Sequence, residues 1–169
     1  GFYKLDFSEL PILIGSFAFG PAAGVMMEFL KILLKLLIKG TSTAFVGDLA
    51  NFVIGCSFIL PASVIYAFGK KKCSAIAGCV VGTLILTVFG TAFNAVYLLP
   101  AFSALFGMPM DSILQAGMAV NPLATGDSIV NFVMACVAPM NLIKGGFASI
   151  VTMLIYKPLS PIIKAGYRQ

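Results

Sequence analysis

The chain has 169 residues, of which 60% are hydrophobic and 10% charged, with a mean hydropathy of +1.04 and a net charge of +5. A soluble domain carries about 25% charged residues, so this composition excludes the soluble globular classes and argues for an integral membrane protein. Repeated apolar runs of helical length, without the period-2 strands of about ten residues that a barrel needs, predict an all-α polytopic bundle in one compact domain over residues 1–169.

Residues 1–9 form a polar lead-in, Tyr3-Lys4-Leu5-Asp6-Phe7-Ser8-Glu9, without a signal-peptide pattern. Ser8-Glu9-Leu10-Pro11 reads as a helix start, with the cap at Ser8 or Glu9 and Pro11 in the first turn. The apolar segment Leu10–Phe19 is short, and Gly20-Pro21 breaks it with a tight reversal. A second helix follows from Ala22 to Ile38. Its Glu28, Lys31, Lys35 and Lys39 recur at helical steps and form one polar stripe. That stripe reads as ion-paired and snorkelling lysines on a tilted helix in preference to a substrate surface.

Gly40-Thr41-Ser42-Thr43 is a loop, and Gly47-Asp48 opens the helix predicted over Leu49–Phe68, with Asn51 near its start and Pro61 in its middle. Gly69-Lys70-Lys71-Lys72 closes it. Short lysine-rich loops lie on the cytoplasmic side, so this triplet orients the chain and offers a contact for anionic lipid. The apolar segment Ser74–Phe106 is too long for one straight span. Within it, Gly78-Cys79-Val80-Val81-Gly82 is a small-residue packing pattern, and Pro100 ends or bends the helix after Asn94 and Tyr97, which are three apart and so predicted on one face. A loop from Met108 to Asp127 has room for a short helix over Asp111–Met118.

The last apolar run, Ile129–Tyr156, carries the most informative residues. Asn141 and Lys144 are three residues apart and leave one helix face, just after Pro139. An unpaired ammonium at that depth costs several kcal/mol, on the order expected for an intramembrane charge, so Lys144 should face the protein interior or a wet cavity. Two readings stand open: the pair is a hand for a polar solute, or Asn141 joins two helices while Lys144 snorkels to an interface.

The basic tail with Lys157, Lys164 and Arg168 lies two spans after the lysine triplet, so both are inside, and residue 1 falls outside. This predicts a first transmembrane helix preceding Gly1, leaving about five spans in the chain. The same count brings residues 1–9, Lys39–Gly47, Asn94–Asp127 and the start of the last helix towards one external surface. Histidine is absent, the four cysteines (Cys56, Cys73, Cys79, Cys136) have no metal-ligand spacing, and they read as small hydrophobes. Lysines at helix ends fit membrane orientation and not nucleic-acid binding.

Five stretches in order, KLDFSELP at Lys4–Pro11, FGPAAG at Phe19–Gly24, KGTSTAFVGDLANF at Lys39–Phe52, FNAVYLLPAF at Phe93–Phe102 and APMNLIKG at Ala138–Gly145, resemble the riboflavin-specific S components of energy-coupling factor (ECF) vitamin transporters. The resemblance implies a six-helix S-component fold whose first helix precedes Gly1, in a multi-pass protein of a prokaryotic plasma membrane. It implies riboflavin as transported ligand, with no resident cofactor or metal. It also implies a transmembrane coupling protein and two ATPase subunits as partners. No GxxxxGK[ST] motif occurs, as fits a binding subunit driven by separate ATPases.

By the resemblance, the NxxK pair Asn141 and Lys144 contacts ligand, Asn94 assists from the long helix, and Leu5 and Asp6 belong to a lead-in that folds over the vitamin. Tyr97 can stack on or cap a flavin ring. Thr41, Thr43 and Asn51 complete the predicted substrate-binding set. An asparagine both donates and accepts while a lysine only donates, so the pair suits an imide edge or ribityl hydroxyls. The alternatives are an S component for thiamine or pantothenate, and a membrane-embedded enzyme. For the enzyme the sequence offers neither histidine nor HExxH, nor, as read here, a pair of acids inside apolar segments.

Overall fold

The computed structural model describes residues 8–40, 45–107, 109–120 and 128–166, and every regular element among them is a helix. Leu5, Asp6, Thr41 and Thr43 lie outside the described residues.

The first apolar segment forms α1 (Glu9–Phe19), with Ser8 at the N-cap. Gly20 ends it at φ 96°, a left-handed value that a side chain would resist, and its N–H donates to the Ser16 carbonyl at 2.9 Å. Pro21 then starts α2 (Pro21–Lys39), so the predicted reversal is a single-residue turn. At 11 residues, α1 is about 16 Å long, roughly half the hydrocarbon thickness of a bilayer.

Helix α3 (Val46–Gly69) stops at Lys70, whose left-handed backbone (φ 47°, ψ 27°) turns the chain directly into α4 (Lys72–Phe93). These two helices pack most closely, and the glycine pattern explains why. A Cβ on Gly78 would run into the Ala62 backbone, and one on Gly82 would sit 2.8 Å from the Phe58 carbonyl oxygen. The small-residue motif therefore joins two helices of the same chain.

Both long apolar segments contain a wider turn before a proline. Helix α4 runs through a π-helical turn, Asn94–Leu98, into α5 (Leu99–Phe106). Pro100 has no N–H for the Val96 carbonyl and its ring crowds that oxygen, and the helix widens there. Likewise α7 (Ile129–Phe132) passes through a π turn, Val133–Val137, into α8 (Ala138–Gly166), one residue before Pro139. Between them the predicted short helix forms as α6 (Met110–Val120).

Among the described residues, three continuous helices are long and apolar enough to cross a membrane: Val46–Gly69, Lys72–Leu105 and Ile129–Pro161. Of the roughly five predicted spans, α1 is too short to be counted with them, and α2 carries too much charge. Their outer faces are apolar, with Leu37, Val88 and Leu154 each more than 70% exposed, as lipid contact requires and water would penalise. The main core joins α1, α3, α4 and α8 around Leu13, Phe17, Phe58, Ile59 and Leu86. Phe17 stacks on Tyr66 at 4.5 Å, and the Tyr66 and Tyr156 hydroxyls share a hydrogen bond of 3.1 Å. A second cluster, Leu99, Leu114, Phe132, Val133 and Val137, holds α5, α6 and α7 together at the other end.

Candidate functional site

Lys144 and Asn141 leave α8 on the face turned towards α1 and α4. Lys144 is 8% exposed, and its Nζ donates to Glu9 Oε1 at 2.8 Å. Glu9 is the first residue of α1. This contact sets the first turn of α1 against the side of α8. A carboxylate in the first turn also suits the positive end of the helix dipole.

The same Glu9 oxygen lies 3.3 Å from Lys31 Nζ on α2, and Lys31 in turn lies 2.6 Å from Glu28 Oε2. Glu28 has no exposed surface. It fits between α2 and α3 because residue 55 is glycine, where a Cβ would stand 2.5 Å from Glu28 Oε1. The result is a linked chain of side chains, Lys144, Glu9, Lys31 and Glu28, through α8, α1 and α2, with Glu28 also beside Glu9. Charges this deep are tolerable only when paired, and losing one member leaves its neighbour uncompensated. Further along α2, Lys35 Nζ meets Asp48 Oδ1 of α3 at 2.7 Å.

These pairs revise three expectations. Lys144 does not snorkel. Within the α2 stripe Lys31 and Lys35 are ion-paired as predicted, but Lys31 turns inward to a buried acid and not outward to an interface. The apolar segments do bring together two acids, Glu9 and Glu28. The stripe on α2 announced Glu28, whereas Glu9 looked like an ordinary helix cap. Its partner Lys144 lies 135 residues away, and no local pattern links them.

Beside this chain lies a neutral polar group. Asn94 is 2% exposed and its Nδ2 donates to the Gly90 carbonyl at 2.6 Å. Asn141 Nδ2 packs over Gly90, where a Cβ would come within 2.8 Å of it. That amide nitrogen is buried and, among the described residues, has no hydrogen-bond acceptor, and the same holds for the Thr91 hydroxyl. Buried donors without acceptors are rare in native proteins and point to a group that completes them. Lys144 has two further N–H donors beyond the one given to Glu9.

Tyr97 is elsewhere. The spacing placed it on the face of Asn94, but these residues sit in a π turn, which takes more residues per turn than an α-helix, so a step of three no longer returns to one face. Asn94 is buried while Tyr97 is 37% exposed, its ring tilted by 39° against that of Phe93 at 5.1 Å. Tyr97 lines an apolar cavity of about 430 Å³ with Phe29, Phe45 and Phe52, and Asp48 is its polar residue. Asn51 is half-buried on α3 next to Phe52. No cluster of three or more metal-ligating side chains occurs among the described residues.

A family profile described as "ECF transporter, substrate-specific component" matches residues 1–156. The chain is similar to the riboflavin transporter RibU of Staphylococcus aureus (strain TCH60), 32% identical over 96% of this chain and 78% of that protein. Similarity to the riboflavin transporter FmnP of Bacillus subtilis (strain 168) is also 32%, over 96% of this chain and 80% of the relative. Among solved structures, the S component of a bacterial ECF transporter superposes with a TM-score of 0.67 at 33% identity, covering 94% of this chain and 79% of that one.

Proposed function

The chain belongs to the family of substrate-specific components of ECF transporters, and on that footing we propose that it is the membrane-embedded subunit that binds riboflavin for uptake. The observation that carries the site is the pair on α8: Asn141 with a buried amide donor that has no acceptor among the described residues, and Lys144 with donors beyond the one given to Glu9. The flavin imide edge presents acceptor, donor and acceptor in a row, and the ribityl chain presents hydroxyls. Asn141 can donate and accept, and Lys144 can donate, so together they match either part of the ligand.

Around this pair, Asn94 supplies a second amide from the opposite helix. Leu5 and Asp6, in the lead-in before Ser8, belong to the proposed ligand-contacting set by the family resemblance. Thr41, Thr43, Asn51 and Tyr97 are the further candidates of the set, and the aromatic cavity that Tyr97 lines has a volume in the range of small-molecule sites, about 300–1,000 Å³. Residues 1–169 act as one domain, in a multi-pass protein of the plasma membrane. Transport requires a membrane coupling protein and two ATPase subunits, and the chain itself performs no catalysis.

Titration of the purified protein with riboflavin tests this directly. Flavin fluorescence should be quenched on binding, as a buried ring meets Tyr or Phe side chains, and thiamine and pantothenate should not compete. No quenching and no calorimetric heat with riboflavin, together with binding of another vitamin, would overturn the specificity.

A further inference from the structure

Lys144 is a long cation on a membrane helix, and such side chains extend towards the nearest interface when nothing holds them. Here the ammonium stays at depth, 8% exposed, with one hydrogen bond of 2.8 Å to Glu9 Oε1. Glu9 is itself held: it is 2% exposed and its Oε1 also faces Lys31 Nζ at 3.3 Å, which is tied to Glu28. One N–H of an ammonium fixed to a rigid acceptor leaves the other two splayed away from it. Asn141, one helical turn before Lys144, holds its unsatisfied Nδ2 on the same face.

We propose that Glu9 is a positioning residue for ligand recognition: by accepting one hydrogen bond from Lys144 Nζ it holds the ammonium at the level of Asn141, with the remaining donors directed to the vitamin. This rests on the riboflavin reading of the Asn141–Lys144 pair. Glu9 does not touch ligand; it acts through Lys144. A carboxylate suits the task better than a neutral acceptor because it also offsets the buried charge, and a charge-assisted bond is shorter and more directional.

A double-mutant cycle on the full chain in detergent reads this out. Glu9→Gln keeps the shape and removes the charge. It should raise the riboflavin Kd about tenfold or more, the scale of a hydrogen bond to a charged group. In a Lys144→Met background the same change should alter Kd by less than about threefold, because a residue acting through another is silent once that partner is gone. If Glu9→Gln does not fold, Glu9→Asp, which withdraws the carboxylate by one methylene, takes its place with the same two expectations. Glu28→Gln alters the network at a residue that neighbours Glu9 and Lys31 but makes no ion pair with Lys144. It should lower the melting temperature without a tenfold change in Kd. Equal effects of the Glu9 change in both backgrounds, no effect in either, or a Kd that simply follows melting temperature through Glu28→Gln as well, would overturn the positioning role. Absence of riboflavin binding by the unmodified chain would sink the functional reading itself and the positioning role with it.

Discussion

Asn141 and Lys144 leave one face of α8 into opposite circumstances. Lys144 has a carboxylate partner at 2.8 Å, whereas Asn141 Nδ2 is buried without an acceptor among the described residues. Leaving a polar group unsatisfied costs about 1–3 kcal/mol, so the protein without ligand carries that cost at Asn141, and ligand can remove it. Asn141→Leu is therefore expected to leave thermal stability unchanged or raised, while weakening riboflavin binding by about 1–3 kcal/mol. Unfolding curves beside titrations measure both quantities. Unchanged affinity with a lower melting temperature would return Asn141 to the role of helix glue, worth about 0.6 kcal/mol on average in membranes.

Among the elements, α3 and α4 form the closest pair, and glycine makes the approach possible. The Ala62 backbone occupies the space a side chain at Gly78 would need. Gly78→Leu should lower stability by about 1–3 kcal/mol, the usual cost of overpacking, with the mass of the detergent-solubilised particle unchanged. A change of oligomeric state at unchanged stability would instead place the glycine pattern between chains. The π turns are the other decisive local feature. Each lies just before a proline, and the one at Asn94–Leu98 separates Asn94 from Tyr97. Asn94 is thereby buried and donates to the Gly90 carbonyl, while Tyr97 joins the aromatic cavity between α2 and α3.

For the whole molecule, the helix pattern makes a side assignment testable. Lys39 ends α2 and Lys71 lies between α3 and α4, at opposite ends of α3, and both are exposed. With the four native cysteines replaced, Lys39→Cys should react with a membrane-impermeant thiol reagent in intact cells, and Lys71→Cys should react only after permeabilisation. Lysine-rich short loops stay on the cytoplasmic side, and the triplet at Lys70–Lys72 is the strongest such signal in the chain. Reversed labelling would turn the bundle over and open the Asn141–Lys144 face to the wrong compartment.

Hydropathy and spacing are properties of neighbouring residues, and what depends on neighbours was readable in the letters. Membrane class, the α1–α2 break at Gly20-Pro21, the bend before Pro100, the small helix over Met110–Val120 and the shared face of Asn141 and Lys144 are all of this kind. The ordered motifs added the transporter family. Folding alone decided which charges meet. Glu9 finds Lys144 because the packing of α1 against α8 brings its first turn there, and Glu28 enters the interior because Gly55 of another helix leaves room. Tyr97 left the predicted cluster for a related reason. Proline relieves its missing hydrogen bond by widening the turn, and a wider turn changes which residues share a face. Ion pairs across distant helices cost too much to leave unmade inside a membrane, yet partner choice is set by helix depth and spacing, quantities that exist only once the bundle has assembled.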